Sequence, residues 1–263
     1  MKLKTKNLLT LAELTPKEFL GLIDESIKLK KELKGKGNKP VLKNKTLTMI
    51  FQKPSTRTRV SFEAGMYQLG GHAINLSSDD MQLSRGESIE DTAKTLSRYT
   101  NCIMARVYDH ELLEKLSEHS SVPVINGLSD TFHPCQILAD FMTIKEKKKK
   151  LKGLKITWIG DGNNVCNSMI YGAALSGVKI SIATPKGFEP NKTIVKDAKK
   201  LTTVELTTDP FVAVKNADVV VSDTFSSIHN LDKKRLKKFL PKYQVNSKLM
   251  SAAKKDAIFM HCL

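Results

Sequence analysis

The feature that most constrains the fold of this chain is an alternation of short apolar runs with helix-length segments. The first half has apolar runs of strand length at residues 46–51, 72–76, 102–107 and 122–126. The segments between them, at residues 57–69, 88–99 and 111–118, are predicted as helices. Such alternation predicts parallel strands, because each helix returns the chain to the same edge of the sheet.

The second half repeats this pattern after a predicted long helix at residues 133–150. Its apolar runs fall at residues 154–159, 179–183, 204–206, 219–222 and 258–260. We therefore predict an α/β fold, with two doubly wound parallel-sheet domains joined by the helix. The predicted domains are residues 1–150 and residues 151–263.

One further helix is predicted before the first strand. Thr15 fits an N-cap, Pro16 fits the first helical position, and Glu18 completes a capping box. The helix is expected to end at the glycine-containing segment 34–38.

The net charge of +16 is high and has three possible explanations. Nucleic-acid binding is disfavoured, because aromatic residues make up only 6% and no nucleic-acid motif is present. Steering of a small anionic substrate by a few arginines is a second explanation. A solvated lysine-rich surface best explains most of the charge, above all the run at residues 145–150.

Other classes of protein are disfavoured by simple patterns. No apolar run approaches the roughly 20 residues that span a bilayer, so no membrane association is expected. The first residues lack the apolar core of a signal peptide. The 4 cysteines have no paired or metal-type spacing, which favours reduced thiols in a cytoplasmic protein.

The segment at residues 51–59 has the composition of a phosphate site. It follows a predicted strand and opens a helix, where free backbone N–H groups attract an anion. Ser55, Thr56 and Thr58 add hydroxyl donors, and Arg57 adds a guanidinium suited to phosphate oxygens. Taken alone, a Ser-Thr pair at such a place is more often an ordinary helix cap.

The whole string at residues 54–59, followed by Ser61-Phe62-Glu63, resembles the carbamoyl phosphate signature of the aspartate and ornithine carbamoyltransferases. Three later segments, at residues 80–88, 105–107 and 133–136, resemble other elements of that family in the same order. The family loop matching residues 80–88 reaches a neighbouring subunit. The resemblance implies a carbamoyl phosphate site formed by Ser55, Thr56, Arg57, Thr58, Gln82, Arg106, His133, Gln136, Cys262 and Leu263.

The second half resembles the ornithine-specific members of the family. The turn at residues 158–164 is not a dinucleotide fingerprint, because Val165 stands where that pattern needs glycine. An ordinary strand-to-helix turn would explain Gly160 and Gly162, but it would not explain the two adjacent asparagines that follow them. The resemblance implies that L-ornithine binds to the second of these two amide residues, Asn164. It also implies binding to three residues that follow the predicted strand 219–222, namely Asp223, Ser227 and Ile228.

The resemblance also implies how the chain works. Arg106, His133, Cys262 and Asp223 would be catalytic, with no cofactor and no metal. The partners would be carbamoyl phosphate and L-ornithine, in a cytoplasmic homotrimer that serves arginine biosynthesis. Asp223 and Ser227 keep the family spacing, but Ile228 and His229 replace its Met and Gly. His229 is expected to restrict loop closure if positive φ is needed there.

Three alternatives remain open. The acceptor could be another amine, such as aspartate, putrescine or an acylated ornithine. The chain could be a non-catalytic paralogue, or a basic protein associated with nucleic acid. Family members continue past the element matching residues 261–263, so we expect this chain to be truncated, with an incomplete second domain.

Overall fold

The structure, a computed structural model, describes residues 3–77, 81–225 and 232–262. It divides into two compact units, Met1–Cys135 and Gln136–Leu263. Each unit is built on one parallel sheet, so the predicted α/β fold with two parallel-sheet domains is confirmed. Within the described ranges, no helix is both long enough and apolar enough to cross a membrane.

The first unit contains a four-stranded sheet with the order β2-β1-β3-β4. All of its neighbouring strands pair in parallel. The strand order reverses between β1 and β3, which run side by side although a strand and two helices separate them in sequence. The elements are α1 (Pro16–Lys34), β1 (Thr46–Phe51), α2 (Thr56–Gln68), β2 (His72–Ser77), a 3-10 helix (Gln82–Arg85), α3 (Ile89–Tyr99), β3 (Cys102–Arg106), α4 (His110–His119) and β4 (Val124–Leu128).

The second unit contains a five-stranded parallel sheet with the order β7-β6-β5-β8-β9. Its strand order reverses between β5 and β8. The elements are α5 (Pro134–Lys148), β5 (Lys155–Ile159), α6 (Asn164–Ser176), β6 (Lys179–Ala183), α7 (Lys192–Ala198), β7 (Val204–Thr207), α8 (Pro210–Val214), β8 (Val219–Ser222), α9 (Lys233–Phe239), α10 (Ser247–Met250) and β9 (Ile258–His261).

Most bounds follow the apolar runs of the sequence. The strands β1, β6 and β8 begin and end where they were predicted. The capping box of α1 is also confirmed, because the Thr15 side chain and the Glu18 side chain each accept the other's backbone N–H. Continuous apolar runs of this kind are typical of parallel strands that are covered on both faces.

The strand β4 begins two residues later than predicted. The hydroxyl of Ser120 accepts the Val122 N–H at 3.2 Å and donates to the Val122 carbonyl at 2.8 Å. Both main-chain groups of Val122 are therefore occupied by a side chain, and ladder pairing begins at Val124.

Helix α5 packs within the second unit. A Cβ built at Gly172 of α6 would lie 2.6 Å from the ring of Phe141 and 2.7 Å from Cγ2 of Ile137, both on α5. The absence of a side chain at Gly172 thus permits the two helices to approach closely. The division into units falls at the start of α5, whereas the boundary at 150/151 predicted from sequence falls just after its end.

Two glycine substitutions should have opposite effects on stability. Gly172→Ala should lower the melting temperature, because overpacking against buried Phe141 costs about 1–3 kcal/mol. Gly65→Ala in α2 should raise it, because no atom lies within 4 Å of the new Cβ and alanine favours the helix by about 1 kcal/mol. Thermal unfolding of both variants tests this, and a stabilised Gly172→Ala variant would contradict the close packing of α5 on α6.

Candidate active site

The first candidate half-site lies where β1 leads into α2. Ser55 occupies the N-cap position of α2, but its side chain makes no capping hydrogen bond. Its hydroxyl instead donates to Oγ1 of Thr58 at 2.9 Å. The first turn of α2 contains no acidic residue. The N-terminus of this helix therefore keeps its partial positive charge and N–H groups for an anion.

Arg106 joins this cluster from the end of the neighbouring strand β3. Its Nη1 donates to Oγ1 of Thr58 at 2.9 Å. Its Nε is buried and has no hydrogen-bond partner in the described part of the chain. The pKa of Arg106 is lowered, first by burial and then by the positive charge of Arg57. Two guanidinium groups are held near one another here, which favours a bound anion between them.

The loop between β1 and α2 is fixed against the segment after β3. The Gln52 N–H donates to the Arg106 carbonyl at 3.0 Å, and the Gln52 side chain accepts the Tyr108 N–H at 2.8 Å. The ammonium of Lys53 lies 4.1 Å from the centre of the Tyr108 ring. Ser55 and Thr56 line an adjacent cleft of about 610 Å³. The half-site is therefore held in place where its loop contacts the segment after β3, and the cleft leaves room for a ligand beside Ser55 and Thr56.

Two other predicted phosphate-site residues of the first unit lie on other segments of the chain. His133 is half-buried and directly precedes α5. Gln82 is exposed and opens the short 3-10 helix. The loop predicted to reach a neighbouring subunit begins at residue 80, which lies outside the described residues, as do residues 78 and 79.

The second candidate half-site begins at the turn after β5. The Asn163 side chain caps α6 by accepting the N–H groups of Val165 at 3.0 Å and Cys166 at 3.1 Å. Its Nδ2 donates to Oδ2 of Asp223 at 2.7 Å. A Cβ at Gly162 would lie 2.2 Å from the backbone nitrogen of Pro190, so only glycine fits at this point of the turn. Asn163 therefore connects the turn rigidly to Asp223.

Asp223 and Cys262 are in direct contact. The Cys262 thiol donates to Oδ1 of Asp223 at 3.0 Å, and the Thr224 N–H donates to the same oxygen at 2.6 Å. The pKa of Cys262 is raised far above its usual value, first by burial and then by the Asp223 carboxylate. Cys262 is therefore a neutral thiol at neutral pH, not a thiolate.

Two further carboxyl groups lie in this half-site. Asp140 of α5 is only 7% exposed, and its Oδ1 accepts Nε2 of Gln136 at 3.0 Å. Burial, together with the smaller effect of the Asp223 charge, raises the pKa of Asp140 to about 7, against the lowering effect of the Gln136 hydrogen bond. Asp161 accepts a hydrogen bond from Arg235, and its pKa is raised mainly by burial. Asp161 is paired with Arg235, and Asp140 is about half protonated near pH 7. Asp223, whose partners in the described residues are neutral donors, is therefore the carboxylate that suits a cationic ligand.

In the second unit, the structure therefore brings the predicted residues Asp223 and Cys262 into contact, and it adds Asn163 and Asp140 to the site. Asn164 begins α6 and is half-buried, and its side chain accepts the Val165 N–H at 3.0 Å. Ser227, Ile228 and Leu263 lie outside the described residues. Sequence reasoning missed Asn163 and Asp140. The four-residue spacing of Gln136 and Asp140 on a helix was the available signal for the latter.

No group of three or more His, Cys, Asp or Glu residues in the described ranges could hold a metal ion. All 4 cysteines are free.

Comparison with known proteins decides the family. The profile of the aspartate/ornithine carbamoyltransferase carbamoyl-P binding domain matches residues 6–146, and that of the Asp/Orn binding domain matches residues 152–263. The chain belongs to the aspartate/ornithine carbamoyltransferase family. The first profile contains the Ser55–Thr58–Arg106 cluster, and the second contains Asn163, Asp223 and Cys262.

Individual relatives are similar over the full length of this chain. The ornithine carbamoyltransferase of Cenarchaeum symbiosum is 60% identical, over 100% of this chain and 87% of the relative. That of Bacillus subtilis is 51% identical, over 98% and 82%. Among solved structures, the ornithine carbamoyltransferase of Pyrococcus furiosus is 46% identical, over 100% and 86%, with a TM-score of 0.95.

The buried carboxyl group of Asp140 should make stability depend on pH. Its folded-state pKa of about 7 lies above the ordinary 3.8, so the folded state binds more protons between these values. Stability from this group is present at low pH and is lost as the pH rises towards 7, by at most about 4 kcal/mol. Asp140→Asn should therefore stabilise the protein more at pH 8 than at pH 5.

Unfolding in urea at both pH values measures this difference. Asp24→Asn on the exposed face of α1 is the control for loss of a negative charge. If Asp140→Asn changes stability equally at pH 5 and pH 8, the raised pKa is wrong.

Proposed function

We propose that this enzyme transfers the carbamoyl group of carbamoyl phosphate to the side-chain amine of L-ornithine, giving L-citrulline and phosphate. The observation that carries the proposal is the pair of half-sites of opposite charge within a chain of this family. One half-site joins a helix N-terminus to Arg106 through Thr58. The other joins Asp223 to Asn163 and Cys262.

Carbamoyl phosphate fits the first half-site. The N–H groups that open α2, the hydroxyl of Thr56 and the guanidinium of Arg57 are phosphate ligands. The Ser55 hydroxyl gives its proton to Thr58 and thereby orients the Thr58 hydroxyl, whose own proton points to the carbonyl oxygen. By the family pattern we assign both residues to carbamoyl phosphate. Arg106, whose buried Nε has no hydrogen-bond partner among the described residues, is suited to the carbamoyl oxygen. By the family pattern we assign the same ligand to Gln82, His133, Gln136, Cys262 and Leu263.

Ornithine fits the second half-site because it carries ammonium groups. Asp223 supplies a carboxylate that a side-chain amide, a backbone N–H and a thiol already orient. Asp161 is paired with Arg235 and Asp140 is about half ionised near pH 7, so Asp223 provides most of the attraction for the cation. We assign Asn164, Ser227 and Ile228 to the same ligand by the family pattern, from which Ile228 and His229 depart.

The reaction requires a neutral amine to attack the carbonyl carbon of carbamoyl phosphate. An alkyl ammonium with a pKa of about 10.4 is about 3.4 units from neutral pH, so its deprotonation costs roughly 4–5 kcal/mol. Donors to the carbonyl oxygen, namely Thr58, Arg106 and His133, offset charge development by roughly 3–4 kcal/mol each. Correct alignment of the two reactants contributes roughly 7–11 kcal/mol. Positioning and electrostatics thus account for catalysis without a covalent intermediate or a cofactor.

Cys262 and Asp223 act on the acceptor amine in this proposal. Because the thiol is neutral, it is not the base that removes the amine proton. Its contact with Asp223 leaves the sulfur lone pairs free to accept from the amine, while the carboxylate favours the approach of the cation. Cys262 therefore orients the nucleophile.

We also propose that the enzyme is a cytoplasmic homotrimer of arginine biosynthesis. Helix α2 has no buried residue, although apolar Val60 and Tyr67, seven positions apart on one helix face, are 56% and 83% exposed. An apolar exposed face of this kind suits contact between copies. The Campylobacter jejuni relative, 42% identical over 98% of this chain, is described as an anabolic ornithine carbamoyltransferase, which supports the biosynthetic direction.

A competition assay tests the choice of acceptor. With carbamoyl phosphate and equal concentrations of L-ornithine, L-aspartate and putrescine, we expect L-citrulline to be the dominant product. The reason is that Asp223 and its neighbours favour an ammonium and disfavour the second carboxylate of aspartate. Mass spectrometry of all three products measures the ratio, and faster formation of carbamoyl aspartate or carbamoyl putrescine would refute ornithine.

Removal of Arg57 should weaken carbamoyl phosphate binding sharply. Arg57→Ala removes a charge-assisted contact of roughly 1.5–3 kcal/mol, which corresponds to about a 10- to 150-fold rise in Kd. Calorimetry with carbamoyl phosphate measures the change. Arg98→Ala on α3 is the matched control, because it removes the same charge from an exposed position elsewhere in the first unit. If the two substitutions raise the Kd equally, Arg57 attracts carbamoyl phosphate through its charge alone and does not contact it.

A further inference from the structure

His110 belongs to neither half-site, yet its side chain is almost fully buried at the start of α4. Its ring meets the Phe132 ring edge-on, with centroids 5.0 Å apart and an angle of 68°. Its Nδ1 lies 2.9 Å from the hydroxyl of Ser129, which is also buried. One imidazole therefore contacts both ends of the loop at residues 129–132.

This loop is closed by reciprocal hydrogen bonds between its ends. The Ser129 N–H donates to the Phe132 carbonyl at 2.9 Å, and the Phe132 N–H donates to the Ser129 hydroxyl at 3.2 Å. Nδ2 of Asn126 donates to the same Phe132 carbonyl at 3.3 Å. His133 is the next residue along the chain. The direction in which the chain leaves Phe132 therefore determines where the His133 side chain lies.

The start of α4 holds the same loop through its main chain. The His110 N–H donates to Oδ1 of Asp130 at 3.2 Å, and the Asp130 N–H donates to the Tyr108 carbonyl at 2.8 Å. These contacts fix the middle of the loop, while the His110 ring contacts a residue at each end. Removal of the Nδ1 contact would leave the main-chain bonds in place and allow the Ser129 hydroxyl, which accepts the Phe132 N–H next to His133, to reorient.

We infer that His110 is a positioning residue for His133 during carbamoyl transfer. The inference rests on the proposed function, in which His133 donates to the carbonyl oxygen of carbamoyl phosphate. A donor of that kind acts only within hydrogen-bond reach, so a displacement of about 1 Å lowers the rate. The Ser129 hydroxyl accepts the Phe132 N–H, and the His110 ring keeps that hydroxyl in place.

The state of the His110 ring suits this role. Burial lowers the pKa of His110, against the opposing effect of the carboxylates of Glu114, Asp130 and Asp109. A neutral ring can form one hydrogen bond with the Ser129 hydroxyl through Nδ1 in either tautomer. A side-chain amide at this position can do the same, whereas a benzene ring cannot.

Two substitutions separate the hydrogen bond from the packing of the ring. His110→Phe keeps an aromatic ring against Phe132 and removes the bond to Ser129. His110→Asn keeps a bonding group near the position of Nδ1. We expect kcat to fall about fivefold in His110→Phe, the order expected for one hydrogen bond, and to stay within about twofold in His110→Asn. The KM for ornithine should not change in either variant.

A double-mutant cycle with His133→Ala decides whether His110 acts through His133. In the His133→Ala background, His110→Phe should change kcat and the Kd for carbamoyl phosphate by less than about twofold, although its effect on melting temperature should persist. A fivefold loss in both backgrounds would overturn the inference, as would an unchanged kcat for His110→Phe alone. If His110 only stabilised the fold, the fivefold loss of kcat would occur in both backgrounds.

A second variant and a second measurement cover the two ways in which this cycle could fail. If His110→Phe does not fold, Ser129→Ala removes the same hydrogen bond from the other side and takes its place in the cycle. If the parent enzyme forms no citrulline, the proposed function fails. The cycle is then completed with the Kd for carbamoyl phosphate from calorimetry, and additivity of the two substitutions would still overturn the inference.

Discussion

The reversal of strand order within each parallel sheet is the constraint on which the rest of the molecule depends. Loops that leave the two strands beside a reversal run to opposite faces of the sheet and open a crevice between them. In the first unit, Phe51 pairs with Arg106, so the turn before α2 lies beside that guanidinium. In the second, Ile159 pairs with Ser222 and Ser222 with His261, which places Asn163, Asp223 and Cys262 together. Strand register, and not local loop structure, assembles both half-sites.

The two half-sites have opposite electrostatic character. The first collects guanidinium groups and helix N–H groups, and the pKa of Arg106 is lowered by burial and then by the positive charge of Arg57. The second collects carboxyl groups, and negative repulsion helps to raise the pKa of Asp140. Each arrangement is unfavourable in the free protein and becomes favourable when the ligand of opposite charge binds. The first unit therefore suits an anionic ligand, and the second suits a cationic one.

Much of this could be predicted from sequence where the determinants are contiguous. The apolar runs predicted β1, β6 and β8 to the residue. The string at residues 54–59 predicted a phosphate site, and the structure brings Ser55 and Thr58 of this string together with Arg106. Contacts between distant residues could not be predicted. Asn163 and Asp223 are 60 positions apart, and their hydrogen bond depends on the pairing of β5 with β8. The role of Asp140 was hidden for a similar reason, because a helical spacing does not reveal that a carboxyl group will be buried.

The hydroxyl of Thr58 has a consequence for the kind of molecule that the first half-site accepts. A hydroxyl has two lone pairs and one proton. Both lone pairs of Thr58 are engaged, one by the Ser55 hydroxyl and the other by Nη1 of Arg106. Its single proton is thereby directed outward, so Thr58 can only donate to a ligand. The cluster has a fixed hydrogen-bond polarity: an oxyanion or a carbonyl oxygen turned towards Thr58 accepts its proton, whereas an ammonium would meet a proton and no lone pair.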